Sequence, residues 1–111
     1  MEQWRSVYMA TARANGGEPD AGSRLLSWAR AAGFTDVTAS ASTWCYATPA
    51  DRAWQSETWA QRCLTSFGPR AVELGLVGRA DLEAMAEAWR QWGAGEDAWF
   101  VVVHGEVIAR A

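Results

Sequence analysis

The chain lacks lysine altogether and contains a single histidine and only two cysteines. Its 10 basic residues are therefore all arginines, and 13 acidic residues outnumber them, which gives a formal net charge of −3. No cluster of basic residues disturbs that balance, so the composition argues against a nucleic-acid-binding surface. Cys45 and Cys63 form no CxxC pattern and have only His104 as a further nitrogen or sulfur ligand, which argues against a metal site.

Long hydrophobic segments are also missing. The sequence has no run of about 18 apolar residues and no secretory h-region, so we expect no membrane contact and a cytoplasmic location. In that compartment both cysteines are expected to be thiols, although a disulfide between Cys45 and Cys63 stays open as an alternative. The 111 residues, 50% of them hydrophobic and 21% charged, predict one folded domain over 1–111.

The spacing of apolar residues predicts five helices, over 2–14, 19–32, 49–67, 70–76 and 79–92. The clearest start is Thr48-Pro49-Ala50-Asp51, which provides an N-cap residue, a proline in the first turn and an acid at the third position. The clearest end is Gly33, which stands where a left-handed cap is needed, with Phe34 folding back on the last turn. Gly68-Pro69, and Gly93 together with Gly95, are interpreted as further helix ends.

Two β-strands are predicted, over 35–47 and 97–109, and they are expected to pair antiparallel. The second is nearly continuous in apolar residues, so we expect it to be buried on both faces. The fold class is therefore α+β, or a partial α/β fold. Because two strands alone do not make a stable sheet, we expect a partner chain to supply the missing neighbours. That partner is either an identical copy, which makes a homodimer, or a separate subunit.

Eight tryptophans supply much of the large apolar surface. Trp44 and Tyr46 share a strand face with Ser40 and Ser42, which suits a hydrophobic or aromatic small molecule, although cross-strand packing explains the two rings equally well. His104 is the only imidazole and is a candidate base toward a hydroxyl substrate, with a structural role in the strand as the alternative. Four tryptophans at helical spacing are better explained as core or interface anchors: Trp54, Trp59, Trp89 and Trp92.

Several phrases of the sequence resemble one family. The pattern LLxWAxxAGFxDV over 25–37 is similar to the last helix-to-strand crossover of class I S-adenosylmethionine-dependent methyltransferases. The segments at 12–22, 38–54 and 97–111 look like the C-terminal part of actinobacterial methyltransferases of the ubiquinone/menaquinone-biosynthesis-like group. They read ARANGGEPDAG, TASASTWCYATPADRAW and DAWFVVVHGEVIARA.

The resemblance implies both a fold and a site. The family has a Rossmann-like sheet of seven strands, of which the two predicted here would be the sixth and the antiparallel seventh. The resemblance implies that the first helix of this chain, together with the helices between the two strands, helps to roof a substrate pocket. Trp4, Tyr8 and Arg13 are therefore substrate-binding candidates beside Trp44 and Tyr46. Ordinary helix packing is the alternative for Trp4 and Tyr8.

The cofactor-binding half of the family has no counterpart in the sequence. No GxGxG pattern occurs, and Gly16-Gly17 ends a helix that no strand precedes. No residue is therefore assigned to S-adenosylmethionine, which the resemblance implies only for full-length relatives.

We expect a truncated or split methyltransferase, of which this chain is the substrate-binding C-terminal portion and not catalytic alone. One alternative is a non-catalytic small-molecule-binding or assembly protein derived from the same fold. Another is a tailoring protein of secondary metabolism that uses His104 or Trp44 without a methyl donor.

Overall fold

The computed structural model describes residues 1–111 and contains five α-helices, one 3-10 turn and two β-strands. The helices are α1 (Glu2–Ala14), α2 (Leu25–Ala31), α3 (Pro49–Thr65), α4 (Phe67–Glu73) and α5 (Arg79–Ala94). The 3-10 turn covers Ala21–Ser23, and the strands are β1 (Asp36–Tyr46) and β2 (Phe100–Arg110). The α+β class is confirmed. The chain divides into two compact units, the first formed by Met1–Gly17 and Tyr46–Phe100, the second by Glu18–Cys45 and Val101–Ala111.

The first unit contains the buried core. Its buried hydrophobic residues come from α1, α3, α4 and α5, and they are Trp4, Val7, Ala60, Cys63, Ala71, Leu82, Met85, Ala86 and Trp89. Helix α3 begins as predicted, because the Thr48 hydroxyl accepts the N–H of Asp51 at 3.2 Å. The Asp51 carboxylate in turn accepts the N–H of Thr48 at 3.3 Å, so two otherwise unpaired donors at the helix start are satisfied reciprocally.

The predicted boundary between the third and fourth helices, at 67–70, is wrong. Helix α3 ends at Thr65, Ser66 adopts φ −109° and ψ −94°, and α4 begins directly at Phe67. Pro69 lies in the first turn of α4, where its missing N–H costs no helical hydrogen bond. Gly68 is buried against the carbonyl oxygen of Cys63, so closely that a Cβ would have no room. Close packing against Cys63, and not the end of a helix, explains why position 68 is a glycine.

The last helix is also longer than predicted. Helix α5 continues to Ala94, because Gly93 does not end it. A Cβ at Gly93 would collide with the side chain of Ser56 on α3, so the glycine allows the two helices to approach closely. The helix ends at Gly95, whose N–H donates to the carbonyl of Trp92 at 3.1 Å.

In the second unit, the prediction of one helix over 19–32 is wrong in its first half, where only the 3-10 turn forms. Local side-chain bonds compete there with α-helical bonding. The Glu18 carboxylate accepts the N–H of Asp20 at 3.0 Å, and the Ser23 hydroxyl donates to the carbonyl of Asp20 at 2.9 Å. The guanidinium of Arg24 lies 3.6 Å from the Glu18 carboxylate.

The end of α2 is as predicted. Gly33 adopts a φ of +97°, which glycine reaches without a steric penalty. Its N–H donates to the carbonyl of Arg30 at 3.0 Å, and the N–H of Phe34 donates to the carbonyl of Ala29 at 3.2 Å. This pair of bonds is a Schellman cap, which satisfies the last carbonyls of the helix.

Strands β1 and β2 form a two-stranded antiparallel sheet, so the predicted pairing is confirmed. Asp36 at the start of β1 lies 3.7 Å from Arg110 at the end of β2. The prediction that the second strand is buried on both faces is wrong within this chain, because Val101, Val103 and Ile108 expose 45%, 68% and 59% of their surface. Nine of the 11 residues of β1 are exposed as well. Two strands provide too little cover for a sheet, and no residue of the second unit is buried.

The cysteines lie in opposite environments. Cys63 is buried in the first unit, Cys45 is exposed in the second, and no disulfide joins them. None of the helices has both the length and the apolar composition that crossing a membrane requires.

Candidate functional site

One face of the β1–β2 sheet brings together side chains of serine, tryptophan, histidine and glutamate. Because alternate residues of a strand point to the same face, Ser40, Ser42 and Trp44 of β1 lie on one side together. Antiparallel pairing places His104 and Glu106 of β2 beside them. We call these five residues the strand-face strip, and three cross-strand contacts connect them.

The carboxylate of Glu106 is the polar centre of this strip. The Ser40 hydroxyl donates to Oε2 of Glu106 at 3.3 Å, and the Ser42 hydroxyl donates to Oε1. Each carboxylate oxygen therefore accepts a hydrogen bond from a neutral donor on the neighbouring strand. The two bonds hold the side chain in place and leave its negative charge without a cationic partner.

The other end of the strip is aromatic. The ring centroids of Trp44 and His104 are 4.2 Å apart at an interplanar angle of 53°, and 57% of Trp44 remains exposed. Nδ1 of His104 is buried and has no hydrogen-bond partner. No carboxylate or carbonyl thus orients this imidazole, unlike the base of a hydrolytic triad, so its role as a general base gains no support from the geometry.

Tyr46 belongs to the first unit. Its ring stacks on Trp54, with centroids 6.0 Å apart and an interplanar angle of 10°. Trp54 exposes 59% of its surface, so this pair lies at the surface and Trp54 is not a core anchor. Arg52 holds the neighbouring backbone, because its Nη1 donates to the carbonyls of Ala47 at 2.7 Å and Glu96 at 3.2 Å.

Trp4 and Tyr8 lie within an aromatic cluster of the first unit. Trp4 is 8% exposed and packs edge-on against Trp59 and Trp89, with centroids 4.7 Å away in both pairs. Tyr8 is half-buried and stacks on Trp4 at 6.0 Å. The buried indole nitrogens of Trp4 and Trp89 have no conventional hydrogen-bond partner, so the neighbouring ring faces are the acceptors that remain for them. Packing is thus a sufficient explanation for Trp4, while Tyr8 keeps an accessible surface.

Arg13 lies in the last turn of α1 and is exposed. The structure thus joins Trp4 with Tyr8 in the first unit, and Trp44 with His104 in the second. Glu106 was missed as the partner of both serines. The antiparallel register could have revealed it, since pairing Asp36 with Arg110 brings Ser40 opposite Glu106.

The first unit also has a surface cavity of about 410 Å³, which the sequence did not indicate. Its wall is largely apolar with a charged rim, and it is formed by Leu64, Pro69, Val72, Leu82, Glu73, Arg79 and Glu83. Arg70 lies 3.1 Å from the Glu73 carboxylate at this rim. The volume is in the range of small-ligand sites.

The residues present do not fit S-adenosylmethionine. A cofactor site of the Rossmann type needs a strand, a glycine-rich turn and a helix whose first N–H groups are available. The connection from β1 to α3 is Ala47-Thr48, which contains no glycine. The Thr48 hydroxyl already accepts an N–H there, and the Asp51 carboxylate adds a negative charge. A strand is followed by a helix nowhere else in the chain.

Comparison with known proteins shows a similarity to a methyltransferase. The chain is 31% identical over 96 residues to an uncharacterized methyltransferase of Schizosaccharomyces pombe, and the match covers 85% of this chain and 34% of that protein. The chain therefore spans about a third of the length of the curated relative it matches. No protein-family model and no solved structure matches it. Over most of its length the chain is thus related to a methyltransferase.

Proposed function

We propose that this chain is the substrate-side, C-terminal portion of a class I S-adenosylmethionine-dependent methyltransferase and does not bind the cofactor alone. The observation that carries the proposal is a combination. The chain is related to a methyltransferase over 85% of its length, yet its strand-to-helix connection contains no glycine, and the side chains of Thr48 and Asp51 already occupy the start of the helix. The resemblance to the ubiquinone/menaquinone-biosynthesis-like group supports the same assignment.

The partner in this proposal is the cofactor-binding portion, which would add strands to the sheet. The second unit supports it, because none of its residues is buried although it contains ten of the 11 residues of each strand. Val103, for example, is 68% exposed. Covering such a β-branched side chain with a neighbouring strand contributes a favourable free energy of roughly several hundred calories per mole or more. Both outer edges of the sheet also present unpaired backbone groups, which further strands would satisfy.

The contribution of the chain itself is to hold and orient the acceptor substrate. In the first unit, Tyr8 and Tyr46 have accessible aromatic surface for this role, and Trp4 stacks on Tyr8. In the second unit, considered by itself, Trp44 offers such a surface. Arg13 adds an exposed cation at the end of α1. Orientation and exclusion of water are the main demands of an in-line methyl transfer.

Calorimetric titration of the purified chain with S-adenosylmethionine tests the proposal. We expect no saturable heat for the chain alone, because the groups that bind a nucleoside and a sulfonium are absent. Saturable micromolar binding by the chain alone would overturn the proposal. A neighbouring reading frame that encodes a strand–GxGxG–helix unit, and whose product binds both this chain and the cofactor, would support it.

The exposed sheet also favours a second candidate, a non-catalytic assembly or ligand-binding protein in which two copies complete each other's sheet. Val101, Val103 and Ile108 supply the apolar surface for such a contact. The two candidates differ in their partner: the assembly protein forms a stable homodimer that the cofactor-binding portion of a methyltransferase does not displace.

A further inference from the structure

Glu106 differs from the acids of the protein that form ion pairs. Glu57, Glu73 and Asp36 each lie within 3.7 Å of an arginine guanidinium. The carboxylate of Glu106 is bonded only to the neutral hydroxyls of Ser40 and Ser42, and no arginine pairs with it. Arg110, on the same strand, pairs with Asp36 instead. A negative charge is therefore held in place on the sheet without compensation.

Trp44 stands on the same sheet face. The residue is 57% exposed, and its ring neighbour is His104, at 4.2 Å between centroids and with a tilt of 53°. An exposed indole is the aromatic group that attracts cations best, because the face of its π system carries partial negative charge.

We propose that the strand-face strip binds an organic ammonium group. The two groups that define it, the accessible indole of Trp44 and the unpaired carboxylate of Glu106, both favour positive charge and both disfavour an anion. Ser40 and Ser42 fix the carboxylate, and His104 supports the indole, so little side-chain entropy is lost on binding. The ligand class is therefore an amine in its ammonium form, or a quaternary ammonium, attached to an apolar or aromatic body.

This inference deepens the proposed function, on which it rests in one respect: it makes the acceptor substrate of the methyltransferase an ammonium-bearing molecule. It does not assign the atom that is methylated. Binding itself needs neither the cofactor nor a partner chain. Its failure is thus distinguishable from that of the proposed function, which the titration with S-adenosylmethionine tests separately.

The experiment compares three probes that share one ring and differ in charge: 2-phenylethylammonium, 2-phenylethanol and phenylacetate. The single histidine gives one set of imidazole signals, so the NMR shifts of the His104 ring report on the strip without ambiguity. At constant pH we expect the affinity to fall in the order ammonium, alcohol, carboxylate. Each exposed cation contact contributes about a two- to fivefold change in dissociation constant.

Variants assign the effect to the two groups. Glu106→Gln keeps the acceptor oxygen and removes the charge, and Trp44→Leu keeps an apolar side chain and removes the π face. Each should weaken binding of the ammonium probe about two- to fivefold and leave the alcohol nearly unchanged. Glu87→Gln, which removes an exposed charge on α5 outside the cavity, is the matched control and should have no effect. Equal affinity for the three probes, or equal losses in Glu87→Gln and Glu106→Gln, would overturn the proposal.

Discussion

Cys63 and Cys45 show how strongly the surroundings of one residue determine its chemistry. Cys63 has no exposed surface, and this burial raises the pKa of its thiol from 9.0 to about 11. Cys45 is exposed on β1. At neutral pH the Cys63 thiol is therefore a neutral, small hydrophobic group of the core.

A pH dependence of stability follows from Cys63. In the unfolded chain this thiol loses its proton near its ordinary pKa of 9.0, while in the folded chain it keeps the proton up to about pH 11. The folded state then binds more protons than the unfolded state, so the free energy of unfolding falls as the pH rises from 9 to 11. Urea unfolding followed by tryptophan fluorescence at several pH values in this window measures the decrease.

The comparison uses two variants. Cys63→Ala is less stable at every pH because it leaves a cavity, but its stability should decline less steeply between pH 9 and 11. Cys45→Ser should keep the full slope, since Cys45 is exposed. Parallel pH profiles for the wild type and Cys63→Ala would show that the buried thiol is not the source.

At the scale of elements, the half-buried residues of β2 lie on one face in the first half of the strand and on the opposite face in the second half. Phe100, Val102 and His104 are half-buried on one face, whereas Gly105, Val107 and Ala109 are half-buried on the other. Gly105 is the point of change, and its backbone lies directly against Gly22 of the 3-10 turn. The strand can approach the turn so closely because neither residue has a side chain.

We expect Gly105→Ala to destabilise the protein by about 1–3 kcal/mol, because the new methyl group would collide with the carbonyl oxygen of Gly22 and displace the turn. Chemical denaturation measures the loss. Gln91→Ala, at an exposed position of α5, is the control and should change stability by about 0.5 kcal/mol or less. Equal stability of Gly105→Ala and the wild type would mean that this close approach does not exist in solution.

At the scale of the whole molecule, apolar side chains are unevenly distributed. All the buried hydrophobic residues belong to the first unit, and the second unit has none. Strand residues with exposed apolar side chains and two free sheet edges favour association with another chain. A second copy of the chain is one such partner, and self-association of the isolated chain measures that contact directly.

We expect the isolated chain, of 12.1 kDa, to form dimers or larger species at micromolar concentration, measured by light scattering coupled to gel filtration. Val103→Lys places a charge on the exposed sheet face and should shift the equilibrium toward the monomer. Gln91→Lys introduces the same charge on the exposed surface of α5 and should leave it unchanged. A monomer at every concentration would show that the two strands need no partner.

Much of the fold was predictable because the signals are local. The capping box of Thr48 and Asp51 and the cap at Gly33 involve residues that lie close together in the chain. Such hydrogen bonds need no contact with a distant segment, so the helix ends that depend on them were predicted correctly. The boundaries at Gly68 and Gly93 were wrong because these glycines respond to long-range packing, against Cys63 and Ser56. A glycine in the sequence looks the same in both situations.

The sequence by itself determined the order of helices and strands, the caps, and the candidates Trp44, Tyr46 and His104, since these depend on residue type and short-range spacing. Only the tertiary structure decided which of them meet. It buried Trp4, left Trp44 exposed, and brought Glu106 to Ser40 and Ser42, which are more than 60 positions away. The reason is physical: strand register and burial arise from contacts between distant segments, which no local pattern specifies.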